Sequence, residues 1–118
     1  MRLTVCTLLA LVLSVVSCLG DPAGTYRVTG VNPGSGSTYS GSVTVERKGD
    51  TFLVVWTIAG SRQIGVGIGK DDLLAVSYRS ANSIGIALYR PNSDGGWTGI
   101  WAPFAGQALG TEMWIRGP

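Results

Sequence analysis

From residue 23 onward the chain falls into short segments of alternating side-chain character, each ended by turn chemistry, and this rhythm restricts the fold more than any other feature. In GTYRVTGV, Tyr26, Val28 and Gly30 share one face while Arg27 and Thr29 share the other. In GSVTVERKG, Val43 and Val45 stand opposite Ser42, Thr44 and Glu46. DTFLVVWTIAG is apolar on both faces, as a central strand can be. RQIGVGIGK, DLLAVSYRS, SIGIALYRP, GWTGIWAP and LGTEMWIRG follow, for eight predicted strands. Their spacing suits an all-β sandwich or barrel.

The connections choose between those two. Lys48-Gly49-Asp50, Gly60-Ser61, Gly69-Lys70-Asp71-Asp72, Ser80-Ala81-Asn82-Ser83, Pro91 to Gly95 and Ala105-Gly106-Gln107 are each short enough for a hairpin between sequential neighbours. A sandwich of the Greek-key kind needs a long crossover, and the longest connection is only the Asn32 to Thr38 stretch. A run of hairpins gives an up-and-down meander, and eight strands can close on themselves and remove both edges. The expectation is an eight-stranded antiparallel up-and-down (meander) β-barrel forming one domain over residues 21–118.

The stretch QIGVGIGKDDLL invites a different reading, as a glycine loop for a phosphate. A P-loop would need glycine at 64 and Ser or Thr after Lys70, where this chain has Ile64 and Asp71. A dinucleotide fingerprint would need glycine at 70 and a helix after it, and a strand pattern follows instead. Gly65 and Gly67 fall on one face of a strand, where the wall can bend sharply or a bulky neighbour such as Trp56 can lie across it.

Met1-Arg2, an apolar-rich run from Leu3 to Val16, and then Ser17-Cys18-Leu19-Gly20 have the form of a secretory signal peptide over residues 1–20. The run is short for a membrane-spanning helix, which needs about 20 residues. Export to the periplasm or the medium is therefore expected. Val15-Val16-Ser17-Cys18 also fits a lipobox, so Cys18 is a candidate for lipidation and for the protein's only tie to a membrane. Ordinary cleavage after Ser17 or Gly20 stands beside that reading. Cys6 and Cys18 both lie in this segment, which leaves the remaining domain without cysteine.

With Arg2 set aside, eight Lys/Arg face seven Asp/Glu, and no basic run exceeds Arg47-Lys48. That argues against nucleic acid as a partner. Catalytic means are sparse too. The chain has no histidine, so histidine-assisted nucleophiles and zinc sites of Cys and His are excluded from the domain. Asp71-Asp72 and Asp94 read as solvated turn residues. No cofactor, no metal and no enzymatic activity are expected. Glu112, inside the eighth strand, is expected on the outer wall beside Arg27; the other placement puts it inside, reading a ligand.

Four tryptophans and four tyrosines are the remaining candidates. Trp56, Tyr78, Tyr89, Trp97 and Trp101 are the predicted ligand-contacting residues, with Trp97 and Trp101 on one face and Gly99 between them. A barrel of eight strands is either just filled by side chains or just able to hold one small ligand. So many large rings in so short a chain favour filling. A pocket, if left, would be apolar and would take a small hydrophobe.

The stretches GTYRVTGVNPGSGSTYSGSVTVERKGDTFLVVWTI, GVGIGKDDLLAVSY, GGWTGIW and LGTEMW resemble a group of small exported bacterial proteins, some of which carry a fibronectin-binding label. Shared features are Gly-x-Tyr-x-Val-x-Gly-x-Asn-Pro, Tyr-x-Gly-x-Val, a Val-Trp strand, a glycine strand and a closing Gly-Thr-Glu, covering nearly the whole domain. The topology is also similar to avidin-like and lipocalin-like barrels, although the polar biotin ligands of the former and the disulfides common in the latter are missing. The functional expectation is an exported, non-enzymatic binding protein. It would take a small apolar ligand in the barrel, or an extracellular or envelope protein at the loop rim around residues 33–38. The alternative is a filled structural or inhibitory envelope module without a small-molecule ligand.

Overall fold

The structure, a computed structural model, describes residues 20–117. Eight strands follow one another: β1 (Gly24–Val31), β2 (Thr38–Lys48), β3 (Thr51–Ile58), β4 (Ser61–Lys70), β5 (Leu73–Arg79), β6 (Ile84–Pro91), β7 (Trp97–Pro103) and β8 (Gly110–Arg116). Each pairs antiparallel with its neighbours in sequence, and β1 pairs with β8 to close the barrel. The expected meander is the observed one. β2 starts at Thr38, earlier than its valine pattern suggests, so that Tyr39 enters the wall.

Inside and outside alternate along every strand, as the pleat requires. On β1, Tyr26, Val28 and Gly30 face in. On β4 the pattern is inverted relative to ordinary hydrophobicity: Gly65 and Gly67 take the inner face, and Ile64, Val66 and Ile68 face out. The reason is crowding. A Cβ at Gly65 would stand 2.7 Å from Val76 Cγ1 and 3.1 Å from Trp56 Cζ3. Trp56 does lie across the glycine strand.

The two barrel ends differ. One end carries the 49–50, 71–72 and 92–96 turns and is plugged by Phe52, Leu74 and Trp97, all buried. Residues 21–23 cross this end. Tyr26 donates its hydroxyl to the Pro22 carbonyl at 2.6 Å. Arg116 stacks its guanidinium 4.7 Å above the Tyr26 ring and donates to the carbonyls of Asp21, Ala23 and Gly95.

The opposite end is rimmed by the 32–37, 59–60, 80–83 and 104–109 connections. Its longest loop on the β1–β2 side is internally tied. The Asn32 and Gly36 amides donate to the carbonyls of Ser37 and Asn32, and Asn32 Nδ2 donates to Ser37 Oγ.

The outer wall is also two-sided. Around β1 and β2 it presents Arg27, Thr29, Ser42 and Thr44, whereas from β4 to β7 it presents Val66, Ile68, Ile86, Leu88 and Ile100. Val66, Ile68 and Ile86 are each more than half exposed, at 56, 63 and 67%.

Candidate functional site

The open end leads into a cavity of about 540 Å³ inside the barrel, within the range of small-molecule sites. Filling, the outcome favoured by the aromatic count, holds only for the plugged half. The rings leave the other half open because of what stands opposite them. Tyr39 is paired across the ladder with Gly30, Tyr78 with Gly85, Tyr89 with Gly99 and Trp101 with Gly110. A Cβ at any of these glycines would overlap the ring beside it. Each ring therefore folds down over a bare stretch of backbone and lines the wall instead of crossing the lumen.

Glu112 closes the floor of this space. Its register partners are Gly30 on β1 and Gly99 on β7, which leave room for its side chain. It is 6% exposed and is the one charged residue buried among those described. The outer-wall position beside Arg27 is thus incorrect: Glu112 points inward, and Arg27 is opposite Ser42 and Ile115. The parity of β8 decides it. Gly110, Glu112 and Trp114 share the inner face, and burying Trp114 carries Glu112 inside with it.

Four neutral donors converge on the carboxylate. The indole N–H groups of Trp56 and Trp114 donate to Oε1 at 3.1 and 2.8 Å, and the Tyr89 hydroxyl donates to the same oxygen at 2.7 Å. The Tyr39 hydroxyl donates to Oε2 at 2.6 Å. Taking a carboxylate out of water is costly unless hydrogen bonds replace the lost solvent, and here side chains from β2, β3, β6 and β8 supply them.

The rings also meet one another. Tyr39 and Trp101 have centroids 6.2 Å apart, Trp101 and Tyr78 6.2 Å, Tyr78 and Trp56 6.0 Å, and Trp56 and Trp114 6.4 Å, all near edge-to-face. Tyr89 lies 4.2 Å from Trp114 in a tilted stack. Such pairs add to simple burial. Trp101 contributes a further feature, an indole nitrogen that is buried without a hydrogen-bond partner.

The tyrosines are held protonated. Burial, and after it the nearby Glu112 charge, pushes Tyr39, Tyr78 and Tyr89 above the ordinary tyrosine value of 10.0. The site consequently presents protonated phenols and ring faces around the Glu112 carboxylate.

Of the residues expected to touch a ligand, Trp56, Tyr78, Tyr89 and Trp101 line the cavity together. Trp97 does not; it belongs to the plugged end, opposite Trp114 and Pro91. Cys18 and the signal segment up to residue 19 lie outside the described residues. Glu112 joins the lining in the second of its two expected placements, and Tyr39 joins it without having been expected there, along with rim residues such as Asn32, Gln63 and Ser83. A separate and more open depression of about 620 Å³ runs over the outer wall past Val66, Ile86, Ile100 and Leu109. Its lining is almost wholly aliphatic, with no group comparable to Glu112.

No protein-family profile matches the chain, and no curated protein matches it in sequence. The likeness to small exported bacterial proteins thus rests on its motifs alone. Among solved structures, a redesigned β-barrel, mFAP1, bound to DFHBI, is similar with a TM-score of 0.64. It is 21% identical, and the match covers 78% of this chain and 93% of that one. That likeness shows the fold, a closed β-barrel.

Proposed function

We propose that this chain is an exported, non-enzymatic binding protein that takes a small, largely apolar molecule into the open half of its barrel. The observation that carries the proposal is the cavity of about 540 Å³, walled by rings that ring–glycine pairing keeps against the wall. An apolar, concave site with a few converging polar groups is the usual form of a small-molecule site. A filled structural module would have no use for such a space. The binding of DFHBI by mFAP1 is in keeping with the reading, since a barrel of similar fold can hold a compound.

Support for a non-enzymatic role is chemical. The domain lacks histidine and cysteine, its cavity tyrosines stay protonated, and both Glu112 oxygens already accept hydrogen bonds. Support for export is the pattern of residues 1–20, with Cys18 either lipidated or removed.

Two measurements test this function. Native mass spectrometry of the protein purified from its own host should show a retained small-molecule mass and should reveal whether a lipid is attached. Titration with tert-butylbenzene, a neutral apolar probe, should shift or quench tryptophan emission in a saturable way. Protein that carries no retained mass and shows no saturable response would contradict the proposal.

A further inference from the structure

The charge inside the barrel narrows the ligand class, and this step rests on the binding function just proposed. Glu112 is the one charged side chain buried among the described residues, and its four partners are all neutral. No lysine or arginine nitrogen pairs with it; the ion pair among the described residues is Lys48 with Glu46, on the outside. Hydrogen bonds from indoles and phenols disperse a carboxylate's charge without cancelling it. The open half therefore holds negative potential at its floor, where Glu112 is buried from solvent.

The walls add to that potential. Trp56, Tyr78, Tyr89 and Trp101 surround the same cavity, and the face of an aromatic ring is the negative part of its quadrupole. Cations favour such faces, and aromatic cages around a quaternary ammonium are their best-known use. An anion would meet repulsion from Glu112, whose hydrogen bonds already occupy the Trp56, Trp114, Tyr39 and Tyr89 donors. We infer that the cavity selects organic cations, small aromatic or alkyl ammonium compounds, with Glu112 as counter-charge and the rings as cage.

Three probes of matched shape separate charge from fit: phenyltrimethylammonium, its neutral isostere tert-butylbenzene, and benzenesulfonate. Affinities are read from tryptophan emission on the wild-type protein and on Glu112→Gln. The expected result is that phenyltrimethylammonium binds at least as tightly as tert-butylbenzene despite its stronger hydration, while benzenesulfonate binds worst. Glu112→Gln should then cut the preference for the cation over the neutral probe by about tenfold. Wild-type protein that takes tert-butylbenzene clearly more tightly than the cation overturns the inference while leaving the binding function in place. So does a Glu112→Gln variant that weakens both probes equally. Failure of all three probes removes the inference and the binding function together. The wild-type ranking decides the matter even if Glu112→Gln does not fold.

Discussion

The hydroxyl of Tyr39 and the carboxylate of Glu112 meet at 2.6 Å, although 73 residues separate them in the chain. They come from β2 and β8, on either side of β1, and Gly30 on β1 lies opposite both. The glycine removes the side chain that would stand between them. Closure of the barrel and assembly of the site are thus one event, since the β1–β8 seam carries the residue around which the rings gather.

Removing the Glu112 acceptor should be costly. Glu112→Leu would strand the N–H groups of Trp56 and Trp114 and the Tyr89 hydroxyl in the interior. A buried donor without a partner costs about 1–3 kcal/mol, so the loss should be about 3 kcal/mol or more in urea unfolding. Arg27→Ala, on the outer wall, should change stability by less than about 0.5 kcal/mol. A comparable loss for the two variants would contradict the buried placement.

The ring–glycine pairs can be tested one at a time. A methyl at Gly99 would collide with the Tyr89 ring, whose Cγ would lie 2.9 Å from it. Gly99→Ala should destabilise the barrel by about 1–3 kcal/mol and push Tyr89 into the lumen. Affinity for tert-butylbenzene should fall in parallel. Unaltered affinity would mean that Tyr89 does not define the cavity.

All four tyrosines have native pKa values above the ordinary value of 10.0, burial being the largest cause in each. The unfolded chain ionises them first, so folding is undisturbed below about pH 10 and loses stability as pH rises above it. Phenolate absorbance of the native protein should therefore lag that of the urea-unfolded protein and then appear together with unfolding. Early, non-cooperative ionisation of several tyrosines would contradict the buried network.

Arg116 fastens the plugged end through Tyr26 and three backbone carbonyls. Arg116→Ala should cost about 1–2 kcal/mol and speed hydrogen exchange at residues 21–26. Binding of tert-butylbenzene at the opposite end should stay within about twofold. A large loss of binding with unchanged exchange would place the cavity at the wrong end.

Much of this architecture could be read from the residues, and the misreadings have physical causes. Alternation and short turns gave every strand and the meander order, because each hairpin is a local decision. Glu112 was misplaced because both faces of β8 carry apolar side chains: Trp114 on one, Met113 and Ile115 on the other. Only the rule that a tryptophan outranks them for the interior would have turned the carboxylate inward. The open half was hidden for a related reason. Counting rings suggests filling, whereas pairing Tyr39, Tyr78, Tyr89 and Trp101 with the glycines opposite them shows that these rings lie flat. Tyr39–Gly30 and Tyr89–Gly99 are register facts that appear only once strand pairing is known. The separation of Trp97 from Trp101, two residues of one inner face, likewise follows from how far along β7 the plug extends.

The indole N–H signals of Trp56, Trp97, Trp101 and Trp114, followed by nuclear magnetic resonance during addition of tert-butylbenzene, probe the half-open barrel in a single experiment. Trp56 and Trp101, which line the cavity, should move and saturate, while Trp97, buried in the plug, should hold its position. Movement of Trp97 as large as that of Trp56, or four signals unmoved at saturating probe, would contradict a ligand cavity at the loop-rimmed end.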